Sequence, residues 1–307
     1  MKNLLTSTIL VLALLMPALA TAADFEVDDI CYNINGNEAA VTRKGLPGYL
    51  FIGYSGPVVI PATVTYDGIT YPVTSIEALA FYHCTELTSI DIPNSVTEIG
   101  QEAFGRCPGL ASIVVESGNP RFDSRNNCNA IIETANNVLI VGCKNTIIPN
   151  SVTEIGNLAF DACDSLTSIV IPNSVTAIGD SAFYDCGRLT DVYCYIADLS
   201  KVSSGNDQFY KRNGSYSGRT LHVRQGTADA YRADENWYPY FGQIVEDIIT
   251  GDANRDLEVN IADVNAVLDM ILEGNDDTIA ADVNGDGEIN IADINALIGI
   301  ILSGKQN

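Results

Sequence analysis

Two stretches near the end of the chain place oxygen-bearing side chains at matching intervals. The first holds Asp252, Asn254, Asp256, Glu258, Asn260 and Asp263; the second, 30 residues on, holds Asp282, Asn284, Asp286, Glu288, Asn290 and Asp293. They occupy positions 1, 3, 5, 7, 9 and 12 of a twelve-residue loop, the spacing by which a short chain wraps a hard cation. Side-chain oxygens at positions 1, 3 and 5 form a tight arc. Position 7 needs only its backbone carbonyl, so the Glu258 and Glu288 side chains need not bind. Position 9 ligates directly or through water, and Asp263 and Asp293 close each site. About seven oxygens in a flexible cage suit calcium better than magnesium, which demands octahedral geometry. The sharp turn at position 6 calls for glycine. The second loop has Gly287 there and the first has Leu257, so two calcium sites are expected, the first weaker.

These loops need elements to hold them. After the first, Val264, Val267, Leu268, Ile271 and Leu272 recur at helical spacing, and after the second, Ile294, Leu297, Ile298, Ile301 and Leu302. Each set predicts one apolar helix face. Gly274 and Gly304 stop the helices, and Gly251 and Ala281 leave little room for a helix before either loop. This duplicated loop–helix form, with Asp at position 12, resembles a type I dockerin, a small α-helical, EF-hand-like calcium-binding domain, here over residues 249–307. The resemblance implies a cohesin-type module as partner. It also implies a binding face at the residues before each closing Asp, Ile261 and Ala262 in one half and Ile291 and Ala292 in the other. Because the pairs are identical, either half could present the same face. Leu268-Asp269 and Ile298-Gly299 stand where such domains usually carry a basic pair.

The middle of the chain repeats itself. Val73-Thr74-Ser75-Ile76 recurs as Val96-Thr97-Glu98-Ile99, Val152-Thr153-Glu154-Ile155 and Val175-Thr176-Ala177-Ile178. The first two starts are 23 residues apart, as are the last two, and the central gap of 56 is one repeat plus a 33-residue insertion, 116–148. Each unit continues with Ala-Phe (Phe81, Phe104, Phe160, Phe183), a cysteine three residues later (Cys84, Cys107, Cys163, Cys186) and a leucine three further (Leu87, Leu110, Leu166, Leu189). A fixed period in the twenties predicts stacked solenoid turns, since one unit alone cannot bury its apolar residues. Leu87-Thr88-Ser89-Ile90-Asp91-Ile92 alternates as a strand does, and Pro93-Asn94-Ser95 turns the chain. The pattern resembles the bacterial leucine-rich repeats called BspA-like. It implies an α/β leucine-rich-repeat solenoid over 73–194, with a β-rich N-terminal cap over 23–72 and a C-terminal cap over 195–248.

Composition narrows the function. Lys and Arg total 16 against 39 Asp and Glu, a formal charge of −23. Such a chain repels phosphate backbones and anionic membranes, which argues against nucleic acid as a partner. From Glu246 to Asn307 there are 14 acidic and 2 basic residues, a balance of −12 that calls for a bound cation. Residues 1–22 read as a secretory leader: Lys2, an apolar run from Leu4 to Leu19, then small-residue cleavage sites ending at Ala20 or Ala22. No second run is long enough to span a membrane, so the mature chain is expected outside the cell or attached to its surface. Eight cysteines in a secreted chain raise disulfides. Four of them fall in phase with the repeat, which favours small buried hydrophobes; pairing between stacked neighbours, or of Cys128 with Cys143, is the alternative. With only His83 and His222 and no nucleophile motif, the chain is not expected to be an enzyme.

The expected function is therefore that of a secreted bacterial binding or adhesion protein. Its repeats would carry a protein or glycan ligand while the tail docks to a cohesin. The alternative is an accessory component of a cellulosome-like, polysaccharide-degrading complex. Calorimetric calcium titration of residues 246–307 should resolve two sites of unequal affinity, and Asp282→Ala should remove the tighter one. A single class of site unaffected by that change would refute the assignment.

Overall fold

The computed structural model describes residues 23–45, 53–196, 198–212, 214–247, 249–254, 258–273 and 279–303. The expected leader (1–22), the expected ligand Asp256, Leu257 at position 6 of the first loop and the expected helix stops Gly274 and Gly304 lie outside the described residues.

Each repeat contributes a longer strand, a two-residue strand and a turn arm between them. The longer strands stack in parallel. Val58, Ile90 and Ile113 align across Gly56–Val59, Leu87–Ile92 and Ser112–Val115. Ile169, Val192, Leu221 and Ile244 align across Ser168–Ile171, Asp191–Cys194, Thr220–Arg224 and Gln243–Asp247. The stacking thus runs past the last clear repeat and into residues 220–247. The two-residue strands form their own parallel ladder, as in Ile155 beside Ile178 beside Ser204. The result is a curved β-solenoid. At its N-terminal end, strands Thr63–Tyr66 and Ile69–Ile76 form a hairpin across Asp67 and Gly68, both at positive φ (49° and 77°), the backbone that tight two-residue hairpin loops require.

The expected α/β character is not a property of the repeats. Among the described residues their connecting arms contain no α-helix. The backbone alternates instead. In the first arm the N–H groups of Leu79, Phe81 and His83 donate to Gln101, Ala103 and Gly105 of the next turn (3.1, 2.7 and 2.9 Å). Those of Ala80, Tyr82 and Cys84 bond back to Glu77, Leu79 and Phe81 within the turn. Residues 158–163 repeat the alternation against Asp180, Ala182 and Tyr184. To point every second N–H outward the chain takes positive φ at phased positions: Leu79, His83, Glu102, Arg106, Leu158, Ala162, Ser181 and Asp185 lie between 48° and 62°. Left-handed backbone costs an ordinary residue roughly 1 kcal/mol or more. It persists because each such arm satisfies its donors only against a neighbour.

Inside the arms the phenylalanines form columns. Phe81 stacks on Phe104 at 5.1 Å; Phe160, Phe183 and Phe209 stack at 4.8 and 4.9 Å with rings within 11° of parallel. Phe209 follows Phe183 by 26 residues, so this turn departs from the 23-residue period yet seats its ring in phase.

The column breaks where residues 116–148 enter. Strands Ala130–Glu133 and Val138–Gly142 form an antiparallel hairpin, and Val138 and Leu139 pair in parallel with Glu154 and Ile155, taking the place of the missing two-residue strand. Ala130, Ile132 and Leu139 pack into the core of the following turns, whereas Ile131, Phe122 and Cys143 pack into that of the preceding ones. Both faces are buried, which is why Ala130-Ile131-Ile132 is a continuous apolar run. Phe183→Ala, in the middle of a column, should destabilise the solenoid by about 3–5 kcal/mol. Phe104→Ala, stacked on one side only, should cost measurably less. Denaturant midpoints of the two variants test the order, and the reverse order would show that the columns do not set stability.

Candidate functional sites in the terminal loops and on the solenoid

The second terminal loop is folded by its own carboxylates. Asp282 Oδ1 accepts from the N–H of Gly285 (2.8 Å) and Asp286 (3.0 Å), and Oδ2 from Gly287 (2.9 Å). Asn284 Oδ1 accepts from Asp286 N–H and Asp286 Oδ1 from Glu288 N–H. Gly285 and Gly287 have φ of 76° and 86°, so the glycine at position 6 meets a backbone that a side chain would strain.

The closing residues are engaged identically in both halves. Asp263 Oδ1 accepts from Asn254 N–H at 3.1 Å and Oδ2 from Asn260 N–H at 2.9 Å; Asp293 does the same with Asn284 and Asn290 at 3.1 and 2.9 Å. Asn260 and Asn290 in turn accept from Ala262 and Ala292 N–H, both at 2.8 Å. This is a variant of the capping box: the N-cap Asn side chain takes the N–H of the second helical residue, and the Asp at the third reaches back to the N-cap N–H. It starts the helices Ile261–Glu273 and Ile291–Ser303. Asp263 and Asp293 are fully buried. Residues 252, 254, 258, 260 and 263, and the complete set 282, 284, 286, 288, 290 and 293, lie within their loops, with oxygen-only donors. Among the described residues no three His, Cys, Asp or Glu groups converge as a metal cage would require.

The helices pack through Val267, Ile294 and Leu297, with Val264, Ile271 and Ile301 beside them. The apolar face read from sequence is therefore narrower than expected. Leu268 and Ile298 turn outward, and Leu272 and Leu302 are 74% and 82% exposed. Ile261 and Ile291 are each 66% exposed, and Ala262 and Ala292 are exposed as well. Each helix so carries an outer apolar stripe, Ile261–Leu268–Leu272 and Ile291–Ile298–Leu302. Spacings of 7 and 4 residues keep each stripe on one face. The sequence reading missed it because helical periodicity cannot separate the inner edge of a broad apolar face from its outer edge.

Fold and loops together define a β-solenoid joined to a small two-helix module. The chain carries a BspA type leucine-rich repeat region, matched in six copies over residues 64–135 and 140–215. It also carries a dockerin type I domain, matched over residues 250–302. Both are non-catalytic scaffold and adhesion domains. Similar solved structures include a leucine-rich repeat protein of Bacteroides capillosus, 28% identical over 55% of this chain and 96% of that one, with a TM-score of 0.31. A leucine-rich cell surface protein of Faecalibacterium prausnitzii is 17% identical over 74% and 95%, with a TM-score of 0.34. A leucine-rich repeat protein of T. pallidum is 21% identical over 82% and 95%, with a TM-score of 0.31. No curated protein matches. Among the described residues no helix is long and apolar enough to cross a membrane.

All eight cysteines are free and buried. Burial pushes the Cys107 and Cys163 thiols up to about 12, away from reactive thiolate. Cys107 and Cys186 also donate to the carbonyls of Phe81 and Phe160 one turn back (3.0 and 3.1 Å), a use that composition does not reveal.

His222 joins three parallel strands. Its Nδ1 lies 3.0 Å from Asp247 Oδ1 and its Nε2 3.2 Å from Asp191 Oδ1, and its ring stacks on Tyr193 at 4.3 Å. Partial burial pulls its pKa down, but hydrogen bonds and charge from Asp247 and Asp191 outweigh this, and the net shift is upward. A raised folded-state pKa gives stability that is complete below the unfolded value and lost as pH rises through the folded one. The stability gap between wild type and His222→Gln should therefore be larger near about pH 5.5 than near about pH 8.5. Equal gaps in denaturant unfolding would rule the linkage out.

Proposed function

We propose that this is a secreted, non-catalytic bacterial binding protein whose repeat solenoid carries a protein or glycan ligand and whose terminal module docks, with calcium bound, onto a cohesin-type module. In this reading residues 1–22 are the leader, 23–72 the first cap, 73–194 the repeats with insertion 116–148, 195–248 the second cap, and 249–307 the docking module. Two EF-hand-like calcium sites would use Asp252, Asn254, Asp256, Glu258, Asn260 and Asp263, and Asp282, Asn284, Asp286, Glu288, Asn290 and Asp293. The hard oxygen-only donor set and the turn at Gly287 support calcium. Bound there, calcium supplies the positive charge that a tail of balance −12 needs to stay compact.

The observation that carries the docking assignment is the pair of exposed apolar stripes, each beginning at the Ile-Ala positions of its loop. Exposed leucines and isoleucines repeated on two matching helices have a cost in water that burial against a partner removes, about 1.5–3 kcal/mol for each large side chain fully covered. Because the stripes are near copies, either half can serve. With Leu268 and Ile298 in place of charged residues, the partner surface is expected to be apolar rather than acidic.

Pull-down of the full chain on type I cohesin modules should succeed in calcium and fail with a chelator. Ile291→Asp alone should weaken binding only a few-fold, because Ile261 remains, whereas Ile261→Asp with Ile291→Asp should weaken it about 100-fold or more. Retention of binding in the double variant would remove the stripes from the docking face.

A further inference from the structure

The break in the solenoid leaves a cavity of about 490 Å³ between the second and third clear repeats. In the first, third and fourth repeats three N–H groups of the turn arm reach the next arm. Here, among the described residues, Arg106 N–H alone crosses, to the Asp161 carbonyl at 3.2 Å. The Ala159 carbonyl instead takes the N–H of Gly142 from the inserted hairpin, at 2.8 Å. Gly142 lies flat on the Phe160 ring, where a Cβ would come within 2.1 Å, and so holds Phe160 away from Phe104. The opening is lined by the Phe104 and Phe122 rings and by Glu102, Arg121, Glu133 and Asp161. A volume of this order suits a small molecule.

Asp161 gives the cavity its chemistry. It occupies the position held by Tyr82, Tyr184 and Tyr210 in other turns, and here Gly105 faces it, with a built Cβ 3.5 Å from its Oδ2. Its side chain is 3% exposed, yet among the described residues no group donates a hydrogen bond to its carboxylate; its one ion pair, with Arg106 Nε, spans 3.5 Å. The buried atom left without a hydrogen bond at the junction is Arg106 Nε, whereas the Asp161 carboxylate keeps its acceptor capacity open toward the cavity. Burial pushes its pKa up, and the Arg106 charge only partly offsets this. Arg106 stands beside Asp161 and Arg121 beside Glu133 (3.1 Å), so two of the three carboxylates have a cationic neighbour. That disfavours a simple cation, and three carboxylates disfavour an anion. A neutral ring bearing hydroxyls uses both kinds of wall: hydroxyls donate to Asp161 and Glu102, and a C–H face lies on Phe104, the Arg121 guanidinium already covering the Phe122 ring.

We propose that this junction is a binding site for one neutral sugar ring, with Asp161 as its anchoring acceptor. The inference rests on the reading of the repeat domain as the ligand-carrying part. It moves the ligand from the strand surface into the gap made by the insertion.

The test titrates the full chain, in calcium, with glucose, galactose, mannose and N-acetylglucosamine, and with methylamine and glucuronate for comparison. Amide shifts of Gly100, Gly105 and Gly142 report the junction; those of Val114 and Val170 report the strand surface. At least one neutral sugar should shift the three glycines, and Asp161→Asn should weaken it tenfold or more with the fold retained. Should that variant fail to fold, Glu102→Gln, on the cavity wall, should weaken the same sugar several-fold. A sugar that shifts only the strand-surface amides overturns the site but leaves the glycan reading standing. Tighter binding of methylamine, or no shift with any sugar, overturns the proposed ligand class, while the cohesin pull-down still reports on docking separately.

Discussion

The solenoid depends on one constraint: half of the turn-arm N–H groups have no acceptor within their own turn. In the first, third and fourth repeats they point outward at 2.7–3.1 Å to the carbonyls of the next turn, aimed by the phased positive φ values. A single unit would leave these donors to water and its phenylalanine half covered. Stability is therefore a property of neighbouring pairs, as expected for a stack whose units contact only their neighbours. The irregular turn carrying Phe209 shows what is held constant: the ring and the outward N–H groups keep phase although the spacing changes from 23 to 26 residues.

The same constraint explains the insertion. A stack cannot simply be interrupted, because two turn faces would be left without partners. The hairpin 130–142 restores part of what is lost: Val138 and Leu139 replace a missing strand, Gly142 replaces one missing donor, and its two faces feed the cores on either side. What it does not restore is the contact of Phe104 with Phe160. The cavity is the consequence, and it leaves Asp161 buried where other turns place a tyrosine.

The terminal module is organised by a different interaction, the paired cap of Asn260 with Asp263 and of Asn290 with Asp293. Each closing Asp bridges the third and ninth positions of its loop and begins the helix that follows. Loop closure, helix start and the outward placing of Ile261 and Ile291 are thus one event repeated twice. The closing carboxylates Asp263 and Asp293 are buried against N–H groups, while large apolar side chains of the outer stripes face water.

By itself the sequence determined the repeat period, the phase of its Phe, Cys and Leu, and the twelve-residue spacing of both loops, because each is a local periodicity written in residue types. It also set the requirement for glycine at position 287, where the backbone φ is 86°. Three matters were left to the tertiary structure. Connecting arms that could have been helices became alternating turns, because their donors are satisfied only across the stack. Leu268, Leu272, Ile298 and Leu302, expected on the packed face, face solvent because two 13-residue helices in so small a module can cover only one narrow strip of each other. Asp161 and His222 acquired their surroundings from residues 25 to 55 positions away: Arg106 for one, Asp191 and Asp247 for the other. No periodicity records such contacts, since only the stacking of turns decides which side chains meet.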